Sequence, residues 1–348
     1  MTEKWIWGLF TKPSKFELDI HAVHGTVCAP KKTKAAYGMD VINGIDDIPA
    51  RFRNAEATIG NFDGVHRGHQ LLLKRLREDA RREKTKAVVI TFDPHPKMIL
   101  RPELKPFYLI TTLEEKISLL GAAGADAVVI IPFTLAYAQK TAAEFIRQVL
   151  WDGLQIRKIL IGHDYTFGKG KEGNEAFLAT FGQTLGFAVE VINAVGVGDT
   201  VISSTAIREA ILGGDVQKAA ALLDRPYNLA GPVVEGKRRG TGLGFPTANV
   251  APEKVLIPAG GSYAVLAGLG GRQYQGVASI GVNPTFGDGK LSVEVHILDF
   301  SENIYGKRLD ILFIDRIRGE VKFPGPAELA RQIKQDIEQA KTILQSRS

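Results

Sequence analysis

Two histidines set three positions apart carry the clearest chemical signal in this sequence. His66 and His69 lie in the stretch "TIGNFDGVHRGHQLLL" (residues 58–73), which reads as a buried strand, a glycine-punctuated turn and the start of an amphipathic helix. Side chains three apart on a helix share a face, so both imidazoles can reach one ligand. The unpaired N–H groups of a helix start favour an anion there. The spacing therefore predicts a polyphosphate site, in which the histidines stabilise charge as a phosphoanhydride bond breaks.

Glycines in the same stretch support this interpretation. Gly60, Gly64 and Gly68 have no Cβ, so the backbone can approach a bulky anion closely. The alternative is that the glycines only shape a turn and that one histidine is a solvated helix residue. For a lone histidine that alternative is the better one, whereas the complete ten-residue pattern favours the anion site. Two other glycine-rich stretches, "GHDYTFGKG" and "GTGLGF", match neither the Walker loop nor the dinucleotide fingerprint.

The elements that must position these residues follow from the hydrophobic pattern. Five apolar runs alternate with helical patterns: "AEATIG", "KAVVITF", "DAVVIIPF", "IRKILIG" and "GFAVEVI". The first helix, "HQLLLKRLREDARRE", has a predicted apolar stripe at Leu71, Leu72 and Leu76. Alternation of this kind predicts a doubly wound parallel sheet, and ligands bind beyond the carboxyl ends of such strands.

Two further helices have clear boundaries. "TTLEEKISLLGAAG" begins with the capping-box pair Thr112 and Glu115, and "STAIREAILGG" ends before Gly213 and Gly214. The serines that precede the second of these helices can act as a cap and as donors to an anion.

After about residue 225 the pattern changes to alternating residues between turn signals, in "GSYAVLAGL", "RQYQGVASIGV", "LSVEVHILDF" and "KRLDILFIDRI". This pattern predicts a small closed antiparallel barrel, followed by the amphipathic helix "PAELARQIKQDIEQAKTILQ". The predicted fold class is therefore α/β plus β. We expect a Rossmann-like domain with a parallel sheet (39–224), then a β-barrel domain with a terminal helix (225–348). Residues 1–38 are predicted to be a loosely ordered extension.

Composition and charge argue against several classes of protein. The 348-residue chain has a net charge of +6, but its basic residues are dispersed, which disfavours nucleic acid as the primary partner. The single cysteine, Cys28, excludes an intramolecular disulfide and a cysteine-based zinc site, and it favours a reducing cytoplasm. The most apolar window, residues 121–138, contains Asp126 and Pro132, so no membrane span is predicted.

The stretch around the two histidines resembles the nucleotidyltransferase signature of the bacterial bifunctional riboflavin kinase/FAD synthetase family. Further matches follow in family order: "TFDPHP" (91–96), "IGHDYTFGKGKEG" (161–173), "ISSTAIREAI" (202–211), "GFPTANV" (244–250), "SIGVNPTFG" (279–287), "VEVHILDF" (293–300) and "IYGKRL" (304–309). The resemblance implies an FMN adenylyltransferase in residues 39–224 and a riboflavin kinase in residues 225–348. It also implies riboflavin, FMN and ATP as substrates and Mg²⁺ as the metal, with neither nucleic acid nor a membrane as partner. The oligomeric state stays open.

For adenylyl transfer, the resemblance implies that His66, His69 and Arg208 steady the triphosphate of ATP. It places a further set of residues in that ATP site: Gly60, Asn61, Phe62, Asp63, Gly64, Gly68, Asp164, Ser203, Ser204 and Thr205. Phe167 and the "TFDPHP" loop would line the flavin or adenine side. Independently of the resemblance, the planar guanidinium of Arg208 suits phosphate oxygens.

In the second half, strand alternation places Val293, Val295 and Ile297 on one face and Glu294 and His296 on the other. From the strand alone, a solvated glutamate is the better interpretation. The resemblance instead implies that Glu294 is the general base toward the terminal ribityl hydroxyl of riboflavin. It also implies a kinase site for ATP or flavin built from Gly244, Phe245, Pro246, Thr247, Asn249 and Asn283. Thr247 and Asn249 have the oxygen ligands that suit Mg²⁺.

One departure from the family pattern supports an alternative. Thr241 stands where the family usually has arginine, although Arg239 is two residues earlier. The alternative is an FAD synthetase with a weakened or inactive kinase half. A different phosphorylated acceptor, such as phosphopantetheine, is disfavoured by "GFPTAN". A flavin-sensing or nucleic-acid-binding protein is disfavoured because no clustered basic stripe is present.

Overall fold

The computed structural model of the protein describes residues 37–198, 200–236, 244–282 and 291–346. Within these ranges, a parallel sheet flanked by helices is followed by a closed antiparallel barrel and a long terminal helix. This architecture confirms the predicted fold class. Several predictions concern parts of the chain outside these ranges: residues 1–36, Arg239, Thr241 and Asn283.

The first sheet is parallel throughout, in the spatial order β1-β4-β3-β2-β5-β6. Its strands are β1 (Asp40–Asn43), β2 (Glu56–Ile59), β3 (Ala87–Asp93), β4 (Ala127–Pro132), β5 (Lys158–Gly162) and β6 (Ala188–Ile192). Five of the six match predicted segments. The sequence pattern does not predict β1, because this four-residue strand at the sheet edge is half polar and shows no clear periodicity.

Helices cover this sheet and close the chain. They are α1 (Arg67–Glu83), α2 (Pro96–Leu100), α3 (Leu113–Ala122), α4 (Ala142–Phe145), α5 (Glu175–Leu185), α6 (Ser204–Leu212), α7 (Val216–Leu223) and α8 (Pro326–Gln345). The predicted capping box of α3 is confirmed: the Glu115 amide donates to the Thr112 hydroxyl (3.1 Å), and the Thr112 amide donates to the Glu115 carboxylate (2.9 Å). Among the helices that the structure describes, none is long and apolar enough to cross a membrane.

The apolar stripe of α1 differs from the prediction. Leu72, Leu73 and Leu76 are buried, but Leu71 is 45% exposed. Successive helical residues are about 100° apart, so a stripe through Leu72, Leu76 and Ala80 turns Leu71 toward solvent. The predicted stripe was wrong at that position because three consecutive leucines fit either of two neighbouring faces.

The barrel closes in the order β10-β13-β12-β11-β14-β9. Its strands are β9 (Tyr227–Val234), β10 (Ala248–Val250), β11 (Gly261–Leu269), β12 (Arg272–Val282), β13 (Leu291–Ile297) and β14 (Arg308–Gly319); β7 (Gly196–Val197) and β8 (Thr200–Val201) form a separate short hairpin. The sequence pattern misses β9 and β10. Pro232 interrupts the strand signal of β9, and β10 is too short to show alternation.

One apolar core joins the two halves of the molecule. Ile207 and Leu222, from α6 and α7, pack in the same buried cluster as the barrel residues Leu229 and Phe313. Ile110, from the segment before α3, belongs to this cluster as well. The helices α6 and α7, at the end of the α/β half, therefore pack directly against the barrel.

Two candidate active sites

The loop between β2 and α1 lies at the carboxyl end of the sheet and has an unusual backbone. Phe62, Gly64 and Val65 have positive φ angles of 48°, 86° and 40°. A Cβ added at Gly68 would lie 3.3 Å from the His66 ring, so this glycine lets the imidazole lie against the backbone of α1. The loop delivers the chain to the first turn of α1, where unpaired N–H groups favour an anion.

The two predicted histidines stack on each other at this helix start. Their ring centroids are 3.6 Å apart, and the ring planes differ by 15°. His66 is the N-cap of α1, and its Nδ1 atom accepts a hydrogen bond from the His69 amide (3.4 Å). The Nδ1 atom of His69 is buried and has no hydrogen-bond partner among the described residues. Both Nδ1 atoms therefore face the protein, so a ligand would contact the pair through the Nε2 atoms.

The surroundings keep both imidazoles neutral. Burial, together with the positive charges of Arg225 and Arg208, lowers the pKa of His66 from 6.5 to about 4. Burial also lowers the pKa of His69 well below 6.5, and His66 and Lys116 act in the same direction. Neutral imidazoles would bind phosphate oxygens through N–H donors, and a bound polyphosphate would raise both pKa values.

Asp63 ties three segments of the site together. Its carboxylate accepts hydrogen bonds from the amides of Ile110 (3.0 Å) and Thr111 (3.1 Å) and from the guanidinium of Arg208. Ser204 donates its hydroxyl to the Asp63 carbonyl (3.0 Å). Because the Asp63 carboxylate is already occupied and only 3% exposed, this arrangement favours a positioning role over direct contact with ATP.

Arg208 is held from several sides as well. Its Nε donates to the Tyr108 carbonyl (2.6 Å), and its guanidinium lies 5.0 Å from the centre of the Phe107 ring. Two of its three guanidinium nitrogens therefore bind protein oxygens. The remaining nitrogen, Nη1, could contact a phosphate.

The α6 segment supplies three predicted hydroxyl groups. The Ser203 hydroxyl caps the helix by accepting from the Ala206 amide (3.2 Å), and Ser204 binds the Asp63 carbonyl. Thr205 is exposed. Two of the three hydroxyls thus stabilise the site itself, and the third faces solvent.

A cavity of about 410 Å³ follows β5. Asp164 lines it together with His163, Tyr165 and Asn174. His66 and His69 are not among the described lining residues, but the Asp164 carboxylate is close enough to His66 to raise the pKa of that imidazole. The volume is in the range of small-molecule sites, about 300–1,000 Å³.

The predicted aromatic and "TFDPHP" residues pack beside the site. Phe167 is buried and stacks on Tyr165, with ring centroids 5.7 Å apart. His95 caps α2 through its Nδ1 atom, and its ring lies 4.7 Å from that of Phe107. Burial lowers the pKa of His95 to about 3. Phe107 and His95 thus lie beside Arg208, whereas Phe167 packs with Tyr165 next to the cavity.

In the barrel, the predicted base and its neighbours come together. Glu294 on β13 is half-buried, between Val293 and Val295, which face the core. The Thr247 hydroxyl donates to the Glu294 carboxylate (3.2 Å). Asn249 on β10 is the direct cross-strand partner of Glu294. A carboxylate, a hydroxyl and an amide thus share one patch of the barrel wall.

The remaining predicted kinase residues flank this patch. The Pro246 carbonyl lies 2.8 Å from the Nδ1 atom of His296, and the Phe245 ring packs edge-on against the His296 ring at 5.9 Å. Gly244 has a φ of 83°, a conformation that favours glycine. Asn283, the last of the predicted set, falls beyond the described ranges.

Two family models match the chain in succession: FAD synthetase over residues 48–206 and riboflavin kinase over residues 223–344. A bifunctional riboflavin kinase/FMN adenylyltransferase from Pseudomonas fluorescens is 37% identical over 306 residues, covering 88% of this chain and 98% of that protein. The chain belongs to the bifunctional riboflavin kinase/FMN adenylyltransferase family. A protein of the same description from Haemophilus influenzae is 38% identical over 309 residues, covering 88% of this chain and 100% of that protein.

A solved structure supports the two-domain fold of this family member. It is described as a macrolide-efflux protein from Streptococcus pneumoniae and shares 32% identity, with a TM-score of 0.79. The similarity covers 87% of this chain and 99% of that one.

Sequence reasoning missed two residues of this bifunctional enzyme. Lys116 on α3 is buried and donates to the Asn61 carbonyl (3.4 Å) and the Thr91 hydroxyl (3.3 Å), directly behind the histidine loop. Its position three residues after Leu113, on the apolar face of the helix, was the available signal. In the barrel, a Cβ at Gly236 would collide with the Asn249 side chain, so a larger residue there would displace that amide. No sequence signal distinguishes Gly236 from an ordinary turn glycine.

Proposed function

We propose that this protein catalyses both reactions of its family. In the first, ATP phosphorylates riboflavin to FMN; in the second, ATP transfers its adenylyl group to FMN, giving FAD and pyrophosphate. The observation that supports the proposal is the presence of two unlike sites in one chain. One is the stacked pair of His66 and His69 at the start of α1, and the other is Glu294 with Thr247 on the barrel wall.

Adenylyl transfer needs no protein nucleophile. A phosphate oxygen of FMN attacks the α-phosphorus of ATP, a new phosphorus–oxygen bond forms, and the bond to the departing pyrophosphate breaks. The protein contributes positioning and donors for the phosphate oxygens. In our proposal, His66, His69, the N–H groups of the first turn of α1 and Arg208 supply these donors. The loop of Asn61 to Gly64 leads into the first turn of α1 and so positions these donors.

Phosphorylation of riboflavin needs a base. In our proposal, Glu294 accepts the proton of the terminal ribityl hydroxyl as its oxygen attacks the γ-phosphorus, and ADP leaves with the electrons of the broken bond. The hydrogen bond from Thr247 holds the carboxylate in one orientation. The half-buried position of Glu294 leaves room for a substrate hydroxyl to approach.

Mg²⁺ as the metal is part of the proposal. Within the described ranges, no three His, Cys, Asp or Glu side chains form a cluster that could hold a metal ion. The Thr247 hydroxyl and the Asn249 amide offer oxygen ligands at the kinase site, and Mg²⁺ commonly uses few protein ligands because it keeps waters and phosphates. The residues present therefore fit Mg²⁺. When bound, the ion would neutralise charge on the phosphate oxygens.

Each reaction can be assigned to one half of the chain, and a cellular location can be proposed. We assign adenylyl transfer to residues 39–224 and phosphorylation to residues 225–348, because α7 ends at Leu223 and the first barrel strand begins at Tyr227. A cytoplasmic location is proposed because the chain has a single cysteine.

Feeding the two flavins separately tests the proposal. Purified protein with ATP and MgCl₂ should convert riboflavin to FMN and then FAD, and FMN directly to FAD, as measured by chromatography. Product from FMN alone would favour the alternative, an FAD synthetase with an inactive kinase half. Product from neither flavin, under conditions in which the protein binds flavin, would reject both activities.

A further inference from the structure

The loop that carries Asp63 toward the histidines is strained. Three of its four residues from Phe62 to Val65 have positive φ angles, and the value of 40° at Val65 is rare for a β-branched side chain. Such conformations persist only where the surrounding structure fixes them. The contacts that fix this loop therefore bear on the placement of His66, the next residue.

On one side, the segment before α3 holds the loop. The Asp63 carboxylate accepts from the Ile110 and Thr111 amides, and the Gly64 amide donates to the Thr111 hydroxyl (3.1 Å). These contacts fix the loop relative to residues 110–111. The position of that segment therefore matters to the loop.

On the other side, Arg225 holds the loop. Its Nη2 donates to the Gly64 carbonyl (2.6 Å), and its Nη1 contacts the carbonyls of Val65 (3.4 Å) and Leu223 (3.2 Å). Two consecutive loop carbonyls are thus bound by one planar fork. Arg225 lies after the last helix of the α/β half, at the entry to the barrel.

Lys254, from the connection between β10 and β11, supports the segment of residues 110–111 from the barrel. Its Nζ donates to the Ile110 carbonyl (3.1 Å), the Asn228 carbonyl (2.7 Å) and the Glu115 carboxylate (3.0 Å). The side chain is only 2% exposed. The Ile110 carbonyl therefore accepts a hydrogen bond from the barrel, while the amides of Ile110 and Thr111 bind Asp63.

We propose that Arg225 and Lys254 are positioning residues for adenylyl transfer, because they hold the strained loop and thereby the histidine pair from the barrel side. The inference rests on the proposed role of His66 and His69. It makes FAD formation dependent on side chains from the kinase half, although the two sites share no catalytic group.

The electrostatic cost of these two cations agrees with a positioning role. Burial lowers the pKa of Arg225 and of Lys254, which shows that their charged forms are held in a poorly solvated region. Burial of a charge is unfavourable unless all its donors are satisfied. Arg225 donates three hydrogen bonds to backbone carbonyls, two of them in the loop, so its charge serves to fix the backbone.

The test compares Arg225→Met and Lys254→Met with a matched control, Arg316→Met. Arg316 is also half-buried at the junction and also donates to two backbone carbonyls, those of Gly213 (3.2 Å) and Gly260 (2.7 Å), but it contacts no part of the loop. Each full-length variant is assayed for FAD formation from FMN and for FMN formation from riboflavin. Hydrogen exchange is measured in the peptide that contains residues 60–70.

We expect kcat for FAD formation to fall about 10- to 100-fold in the two test variants, as for a displaced catalytic group. Hydrogen exchange in the loop should rise, while FMN formation at the assay temperature changes little. Lys254→Met leaves the Glu115 carboxylate without its cation, so the melting temperature of that variant should also fall. Arg316→Met should alter neither FAD formation nor loop exchange. Arg225→Lys can reach one carbonyl but lacks the planar guanidinium, so its kcat for FAD formation should lie between those of wild type and Arg225→Met. This variant serves as the test if Arg225→Met fails to fold.

Unchanged FAD formation and unchanged loop exchange in both test variants would overturn the inference. An equal loss in Arg316→Met would also overturn it, because the effect would then be general weakening of the junction. A separate His69→Ala variant tests the proposed role of the histidines on its own. If this variant forms FAD at the wild-type rate, that role is wrong. Hydrogen exchange in the loop of the Arg225 and Lys254 variants still shows whether these two residues hold the loop.

Discussion

At the residue scale, burial decides what the two histidines can do. A solvated pair would be partly protonated near neutral pH, but His66 and His69 are kept neutral by poor solvation and by neighbouring cations. They are therefore N–H donors with an open position rather than fixed positive charges. In the proposed function, positive charge would build up on them only when a polyphosphate is bound, so the site would favour highly charged ligands.

This burial predicts a pH dependence of stability. The pKa of His66 is about 4 in the folded protein against 6.5 when solvated, so the unfolded chain binds more protons between these values. Stability is present above the solvated value and is lost as the pH falls. Asparagine keeps an N-cap acceptor but does not titrate. Between about pH 7 and pH 5, we therefore expect the free energy of unfolding to fall by about 2 kcal/mol less in His66→Asn than in wild type.

Chemical denaturation at the two pH values measures this effect. His163→Asn, at an exposed position, is the control and should leave the pH dependence as in wild type. If His66→Asn has the same pH dependence as wild type, the imidazole is solvated and the description of its surroundings is wrong.

At the element scale, glycines with positive φ angles allow the chain to turn at the ends of helices and strands. Gly64 has a φ of 86°, and a Cβ there would lie 3.1 Å from Ile110 and 3.3 Å from Leu223. Gly186, which ends α5, has a nearly equal φ of 84° but open space around the Cβ position. A comparison of alanine substitutions at the two glycines therefore separates the effect of backbone strain from that of local crowding.

We expect Gly64→Ala to lower the free energy of unfolding by about 1–3 kcal/mol more than Gly186→Ala does, because only the first adds crowding to the shared backbone strain. Gly64→Ala should also reduce FAD formation, whereas Gly186→Ala should not. Denaturant titration measures the free energy of unfolding, and the assay with FMN as substrate measures FAD formation. Equal destabilisation by the two variants would contradict tight packing behind the loop.

Prediction from sequence succeeds where an element has a strong period and fails where the signal is short or depends on distant contacts. The long runs that form β3, β4, β11 and β14 were predicted, and the Thr112–Glu115 capping box was predicted to the residue. The four-residue β1 and the three-residue β10 were not, because so few residues carry no period.

The candidate sites show the same limit. Residue type and spacing predicted that the two histidines lie together and that Glu294 stands between core-facing valines. Neither could predict that the Asp63 carboxylate binds the Ile110 and Thr111 amides, some 47 and 48 positions away in sequence. Contacts of that kind depend on the packing of α3 against the sheet, which no local pattern encodes.

At the scale of the whole molecule, the two halves share a core. Leu222 belongs to the cluster that continues into the barrel, whereas Leu154 belongs to the cluster on one face of the parallel sheet, and both are almost fully buried. A cavity at Leu222 should therefore destabilise both halves. A cavity at Leu154 should destabilise the α/β half more than the barrel.

We expect Leu222→Ala, which costs about 2–5 kcal/mol, to lower the temperatures of half-inactivation of both activities together. Leu154→Ala should lower that of FAD formation more than that of FMN formation. Heating aliquots and assaying both reactions measures these temperatures. Loss of one activity alone in Leu222→Ala would show that the halves unfold independently.

The proposed function requires two ATP-dependent sites that act in turn on one flavin. Its most direct measurement is the time course of FMN and FAD formed from riboflavin, ATP and MgCl₂ by wild type, Glu294→Gln and His69→Ala. We predict that Glu294→Gln loses FMN formation at least about 100-fold yet still converts added FMN to FAD, and that His69→Ala accumulates FMN with little FAD. Loss of both reactions in either variant, with the fold intact, would contradict two separate sites.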